Sequence, residues 1–357
     1  MTLPGHYYTG RSIYDAETER IFLKRWLYAG RASTIREPGQ YFLHNVDTES
    51  VIVVRDGEGR VRAFHNVCRH RGTRLCSAPE GRFSKSIQCP YHAWTYALDG
   101  SLIGAPHMNE VEAFNKSDYP LRGVSVGEFG GGVFLNLDSG APALAEVFAP
   151  LQEKVDRWEF ERLQVAHRIE YDVAANWKLV VQNYSECYHC PSLHPLLNRL
   201  TPYRNSSNDF VEGPFLGGPM QLSDGNESMT TTGRACATKL AGLTTEEHRL
   251  VFYYTVFPNM LLSLFPDYVV VHRLDRLGPD RTRIVCDWLF HEDTVSRADF
   301  DPRDAVEFWN MTNKQDWNVS ELSHSGIASR AYEPGPYSNL ESMLAAWDRE
   351  YLRAMEE

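Results

Sequence analysis

The stretch CRHRGTRLCSAPEGRFSKSIQCPYHAWTYALDG, residues 68–100, decides the fold. It sets Cys68-x-His70 and, after eighteen intervening residues, Cys89-x-x-His92. In each pair Cys precedes His on one short loop, so each loop delivers one thiolate and one imidazole. Two of each suit either a tetrahedral zinc or a [2Fe–2S] cluster with two Cys on one iron and two His on the other. Gly72 and Pro90 suit tight loops that turn backbone N–H groups toward bridging sulfides, and Trp94 can cover the site.

Outward from this stretch the chain reads as short alternating strands. QYFLHNV (40–46), SVIVVRD (50–56) and VRAFHNV (61–67) are rich in β-branched and aromatic residues. Asp56-Gly57-Glu58-Gly59 and Asp99-Gly100 are hairpin turns. The pattern ends near GGGVFLNLD (130–138), so residues 39–138 form an all-β unit. Residues 1–38 read as an amphipathic helix that starts at Ser12, with Ile21, Phe22, Leu23, Trp26 and Leu27 on its apolar face. Residues 139–357 mix both types of element, with helices expected at 143–160, 177–189, 302–323 and 338–356. Strands are expected there at 164–173, 250–273 and 281–290, giving an α+β region with an antiparallel sheet. Residues 201–235, rich in Asn, Ser, Gly and Thr, read as a long loop that could serve as a lid.

A second constellation lies in NWKLVVQNYSECYHCPSLHP, residues 176–195. Glu186 and His189, three apart on a helix, share a face. Pro191 ends that helix, so His194 can fold back toward His189. Two His and one carboxylate with open positions is the facial arrangement that suits mononuclear Fe(II). A Cys187-x-x-Cys190 redox pair is the competing reading, but such a pair is expected beside a βαβ pattern and none is present.

Composition narrows the function classes. The 357 residues carry 36 Lys and Arg against 47 Asp and Glu, a formal charge of −11 that offers no basic footprint for nucleic acid or anionic membrane. The most apolar run, Val251–Phe265, is broken by Thr255, Pro258, Asn259 and Ser263 and is too short to span a bilayer. MTLPGHYYTGRSIYD has neither a basic n-region nor an apolar h-region, so the cytoplasm is the expected compartment. Seven Cys are too few for a disulfide framework, and Cys76, Cys236 and Cys286 are expected as buried thiols. No GxGxxG fingerprint is present, so reducing equivalents must come from another protein.

The Cys68-x-His70 and Cys89-x-x-His92 pattern resembles the Rieske motif, and E-x-x-H-x4-H resembles the mononuclear iron motif of Rieske non-haem iron oxygenase α subunits. The resemblance implies an all-β Rieske domain over 39–138 and a helix-grip catalytic domain over 139–357, with helix 1–38 packed on the latter. It implies Cys68 and Cys89 on one cluster iron and His70 and His92 on the other. Imidazole in place of thiolate raises the cluster potential, so the cluster accepts electrons readily from a flavin- or ferredoxin-type NAD(P)H reductase. His189 and His194 would bind the mononuclear iron, with the third ligand from a later helix that offers Asp301, Asp304, Glu307, Asp316 and Glu321; NKQDWNVSE resembles the family's segment around its iron-binding Asp and points to Asp316. Glu186 would not be a ligand; it would bridge to a cluster His of a neighbouring subunit in a homotrimer.

Three stretches narrow the resemblance: 176–195, FPNMLLSLFPDYVVVHRLDRLGPDRTRIVCDWLF (257–290) and SRAYEPGPYSNLESMLAAWD (329–348). They are similar to the branch that demethylates betaines, with choline- and carnitine-type monooxygenases nearby. This implies O2-dependent hydroxylation of an N-methyl group, followed by collapse to formaldehyde and the demethylated amine. A quaternary ammonium has no N–H to donate and needs aromatic faces. Tyr184, Phe257 and Phe265 are the candidate substrate residues, among further aromatics at Tyr188, Phe252, Tyr253, Tyr254, Tyr268 and Trp309. Phe265 stands where that branch often carries His, which would make the pocket more apolar. The same metals also serve hydroxylation or dihydroxylation of aromatic or alicyclic substrates. A plain electron carrier would need no second constellation.

Overall fold

The computed structural model describes residues 1–356. The chain forms two compact units, Phe22–Phe148 and the combination of Met1–Ile21 with Ala149–Glu357. In the first unit the strands are β1 (Leu27–Arg31), β2 (Gln40–Val46), β3 (Glu49–Arg55), β4 (Val61–His65), β5 (Glu80–Arg82), β6 (Ser86–Gln88), β7 (Thr95–Ala97), β8 (Leu102–Gly104), β9 (Ser125–Phe129) and β10 (Gly132–Asn136). They make three antiparallel sheets, ordered β1-β10-β9, β4-β3-β2-β5 and β6-β7-β8. The expected turn between β3 and β4 is held by Asp56, which is buried and accepts from the backbone N–H groups of Glu58 and Arg60, both at 2.9 Å. Ile52, Val54, Phe64, Trp94 and Tyr96 pack into a core directly beneath the two Cys/His loops.

The N-terminal segment departs from the expected single helix over residues 1–38. α-Helix is confined to the turn His6–Thr9 and to Arg11–Glu17, which passes into a π-turn at Thr18–Phe22, and Ser12 does not cap it. Residues 22–38 belong to the β-rich unit instead, because Leu27–Arg31 pairs antiparallel with β10 and buries all five residues. A run of apolar residues reads equally as a helix face or a buried strand, and here burial on both faces decided for strand.

Glu17 anchors the N-terminal helix within its unit. Its buried carboxylate accepts from Trp177 Nε1 (2.9 Å), Arg276 Nη1 (3.0 Å) and Tyr351 Oη (2.8 Å), and it pairs with Lys178 Nζ. Burial lowers the Lys178 pKa to about 8 in spite of that pairing. Glu17→Ala leaves two buried cations facing an empty position and is expected to destabilise this unit by about 3–5 kcal/mol. Chemical denaturation of the variant checks this: an unmoved midpoint would mean that Lys178 and Arg276 find other partners.

The second unit is built on six antiparallel strands: β11 (Leu163–Val173), β12 (Phe215–Gln221), β13 (Leu250–Val256), β14 (Met260–Leu264), β15 (Val269–Gly278) and β16 (Arg281–His291), in the order β11-β16-β15-β14-β13-β12. The run expected as one strand at 250–273 is therefore three. Pro258 and Pro266 cannot donate to a ladder, and both fall in the turns that divide it. The long loop expected at 201–235 contains β12 and buries Ser228, Met229 and Thr230, so it is no simple lid. β12 pairs with β13 although its GGP core is poor in strand formers. Gly217, at φ +123°, lies so close to the Tyr253 carbonyl that a Cβ would overlap it. The second constellation lies just past the helix Trp177–Tyr184, with Asp316 on the helix Arg303–Ile327. Among the described residues, no helix is long and apolar enough to cross a membrane.

Candidate metal centres

The two Cys/His loops of the β-rich unit are the same device used twice. Cys68 N donates to Thr73 O (2.8 Å) while Gly72 N donates to Cys68 O (3.0 Å). Cys89 N donates to Trp94 O (2.8 Å) while Ala93 N donates to Cys89 O (3.1 Å). The fourth residue beyond each Cys has positive φ, Gly72 at +71° and Ala93 at +55°. Gly72 was legible as a turn glycine; Ala93, an L-residue held in the left-handed region, was not.

These loops bring together all four residues expected there. Cys68 and Cys89 are buried and interact with each other. The His70 and His92 rings lie edge to face with centroids 4.8 Å apart. Trp94 stacks on His70 at 4.8 Å and 9°. Tyr96 Oη accepts from the Arg69 N–H (3.0 Å), which leaves its own O–H to donate to Cys68 Sγ at 3.3 Å. His92 Nδ1 is buried and has no partner among the described residues. Buried nitrogens are ordinarily satisfied, so this one is a lone pair kept for a ligand. Two thiols on one side and two imidazoles, one with a free buried nitrogen, fit a [2Fe–2S] group.

In the other unit, His189, His194 and Asp316 bring their donor atoms within 4.8 Å of one another. Asp316 Oδ1 lies 2.7 Å from His194 Nε2 and 3.5 Å from His189 Nε2. Both Nδ1 atoms point outward to fixed acceptors: His194 to Gln315 Oε1 at 2.7 Å and His189 to Glu186 Oε1. Those outer bonds set the tautomers and keep both Nε2 lone pairs for a metal. Burial opposes charging His189, but the carboxylates of Asp316 and Glu186 outweigh it and lift its pKa to about 9. Asp316 is held below the usual carboxylate value by the two imidazoles, against its own burial. The donor set favours positive charge at its centre and fits a divalent iron.

The local backbone differs from the expected helix over 177–189. That helix stops at Tyr184, and Glu186–His189 form a turn that Glu186 itself caps by accepting from the N–H groups of Tyr188 and His189. Pro191 starts the short helix Cys190–Leu193 instead of ending a longer one, since a missing N–H costs nothing in a first turn. Cys187 and Cys190 are joined by a disulfide that encloses Tyr188 and His189, against the expectation that no bridge forms. The remaining cysteines are free, with Cys286 buried but Cys76 and Cys236 only half-buried.

The other carboxylates considered are occupied or remote. Asp304 accepts from Thr231 N (2.8 Å) and Thr232 Oγ1 (2.5 Å), Glu321 accepts from Ala174 N (2.9 Å), and Asp301 pairs with Arg303. Glu307 is absent from the cluster around the two His.

A cavity of about 150 Å³ opens beside His189, His194 and Asp316. Tyr184, Tyr188, Tyr253, Thr255, Trp309 and Thr312 line it, together with Tyr203, Ser206–Asn208, Leu340, Ser342 and Met343. Tyr184 is thus at the cavity, although its hydroxyl is already held by Leu262 O and Ser263 Oγ, both at 2.9 Å. Phe257 and Phe265 are not in the lining. Phe257 packs near Trp177 and Trp347, and Phe265 is fully buried behind Trp309, so Phe265 does not make the pocket more apolar. Tyr203 and Ser206–Asn208 fall in the 201–235 loop and Leu340, Ser342 and Met343 in the 329–348 stretch, but nothing in either stretch marked these residues as lining, because only the fold carries them to the cavity.

Residues 160–357 match the family of ring hydroxylating alpha subunits (catalytic domain), and residues 25–115 match the Rieske [2Fe-2S] domain. The chain belongs to the Rieske-type ring-hydroxylating oxygenase alpha subunits. It is therefore an oxygenase with a Rieske [2Fe–2S] centre and a mononuclear iron site. It is 33% identical to the glycine betaine monooxygenase oxygenase subunit of Pseudomonas aeruginosa, over 95% of this chain and 85% of that one. To the chloroplastic choline monooxygenase of Amaranthus tricolor it is 28% identical, over 94% and 74% respectively. Among solved structures it resembles a quaternary ammonium Rieske monooxygenase described for carnitine oxidation by gut microbiota and inter-subunit electron transfer. That match has a TM-score of 0.83 at 25% identity, covering 100% of this chain and 95% of the other.

Proposed function

We propose that this oxygenase hydroxylates an N-methyl carbon of a small quaternary ammonium or methylated amine, releasing formaldehyde and the demethylated amine. The observation that carries the reading is the cavity itself. It is small, walled by the rings of Trp309, Tyr253 and Tyr184, and adjoins the His189, His194 and Asp316 donor set. The Trp309 indole N–H is spent on Tyr268 Oη at 2.9 Å, so Trp309 offers the cavity only its ring, whose quadrupole attracts a cation without N–H groups. The relatives that act on glycine betaine and choline support the same substrate class.

In this proposal Cys68, Cys89, His70 and His92 hold the cluster, and His189, His194 and Asp316 hold the iron. When bound, the iron supplies oxygen activation with electrons that the cluster relays. Glu186 and Gln315 keep the two imidazoles in the tautomer that presents Nε2, while the aromatic walls orient the methyl group and limit water. Electrons come from a separate reductase of the flavin- or ferredoxin-type NAD(P)H class. A homotrimer, in which Glu186 meets a cluster histidine of a neighbouring copy, completes the route. The inter-subunit electron transfer described for the carnitine-oxidising structure supports this assembly.

The test is formaldehyde release and oxygen uptake with a surrogate reductase and a panel of methylated ammonium compounds and aromatic hydrocarbons. Matched formaldehyde and oxygen are expected with an ammonium compound. Oxygen uptake with hydroxylated aromatics as the only products would overturn the substrate class in favour of ring hydroxylation.

A further inference from the structure

Several polar groups around the cavity already have protein partners. Tyr184 Oη is held by Leu262 and Ser263, and Thr255 Oγ1 by Ser185 Oγ at 3.0 Å. Thr312 Oγ1 donates to Phe308 O at 3.0 Å, and Trp309 Nε1 to Tyr268. The two imidazoles have Glu186, Gln315 and Asp316. One group stands apart. Tyr253 Oη is buried and has no hydrogen-bond partner, and among the described residues with such an orphaned side-chain atom it is the only one in the cavity lining. A buried hydroxyl without a partner is costly, so such groups are rare unless something else satisfies them.

The surrounding fold explains why no protein group does. Tyr253 lies opposite Gly218 on β12, which has no side chain, and opposite Ser263 on β14, whose hydroxyl is taken by Tyr184. Its ring is fixed edge-to-face against Tyr184, Phe265 and Trp309, at centroid distances of 6.1, 6.1 and 6.1 Å. Burial pushes its pKa well above the ordinary tyrosine value, so it stays a phenol with an O–H to donate. Lys and Arg are absent from the described lining residues, so an anionic or hydroxylic end of a substrate finds no cationic partner there.

We propose that Tyr253 is a specificity-determining residue that binds substrate by donating its O–H to an oxygen on the non-ammonium end, a carboxylate or hydroxyl. This rests on the quaternary ammonium reading and refines it. The ring wall recognises the methylated cation, while one phenol recognises the oxygen that separates a betaine or an amino-alcohol from a bare tetraalkylammonium.

The test uses the metal-loaded enzyme, with affinities measured anaerobically by calorimetry for glycine betaine, choline and tetramethylammonium. Tyr253→Phe keeps the ring and removes only the hydroxyl. It is expected to weaken glycine betaine or choline, whichever the wild type binds, by about tenfold or more, as for a lost bond to a charged or buried acceptor. Tetramethylammonium, which has no oxygen, should bind within about twofold of wild type by the same reasoning. Tyr184→Phe is the comparison: its hydroxyl already has protein partners, so it should not discriminate between oxygen-bearing and oxygen-free ligands. Equal effects of Tyr253→Phe on all three ligands, or discrimination by Tyr184→Phe alone, would overturn the assignment while leaving the ammonium reading intact. A wild-type enzyme that binds none of the three would overturn that reading and this inference with it.

Discussion

Asp316→Ala is expected to keep the visible absorption of its cluster but to lose the mononuclear iron and, with it, turnover. Asp316 Oδ1 is the atom that approaches both histidines, at 2.7 Å from His194 Nε2 and 3.5 Å from His189 Nε2. The neighbouring carboxylates cannot replace it. Asp304 is held by Thr231 and Thr232, Glu321 by the Ala174 N–H, and Asp301 by Arg303. Changing a residue that merely supports a metal ligand commonly costs about 10–100-fold in affinity, so removal of a ligand is expected to cost at least that. Chelator-based iron quantitation beside the cluster spectrum checks it. Wild-type iron content in the variant would assign the third ligand to another carboxylate.

Glu186→Gln is expected to separate metal loading from electron delivery. The carboxylate uses both oxygens within its own chain, Oε1 toward His189 Nδ1 and Oε2 toward the N–H groups of Tyr188 and His189. An amide can keep its oxygen on His189 and so preserve the tautomer, but its NH2 then opposes two backbone donors. The negative charge that would attract a second imidazole is also gone. Both metal centres should remain loaded, while reoxidation of the reduced cluster with substrate and oxygen present slows by about 10–100-fold. Stopped-flow absorbance reads this directly. Reoxidation at the wild-type rate would mean that electrons reach the iron by a route that does not need the Glu186 carboxylate.

Legibility in the sequence followed how local each feature was. Cys68, His70, Cys89 and His92 could be grouped from spacing, because each loop closes within five residues through its own backbone bonds. Glu186, His189 and His194 were legible for the same reason, although the turn that holds them was read as helix. The Glu186 side chain supplies the hydrogen bonds there that a helix would have supplied. Asp316 needed resemblance, since only tertiary packing brings the Arg303–Ile327 helix to the two histidines. The substrate wall was least legible. Phe257, Phe265, Tyr253 and Trp309 are all aromatics on adjacent elements, and alternation alone cannot say which face opens on a cavity and which is core. Likewise β12 formed from a glycine-rich stretch, where pairing with β13 overrode poor strand propensity.

The Glu17 anchor has a consequence for the order in which the molecule is made. Residues 22–148 form one continuous stretch, so every partner in their mutual contacts is present once that stretch has left the ribosome. Glu17 instead waits for Tyr351, 334 residues further on. At about 5–20 residues per second, synthesis keeps the N-terminal helix and its carboxylate without their final partner for roughly 20–70 s. The cluster-bearing unit is thus a guest inserted in a host that cannot close until near the end of translation. Throughout that interval the nascent chain carries the Glu17 carboxylate without the tyrosine hydroxyl that completes its set of donors.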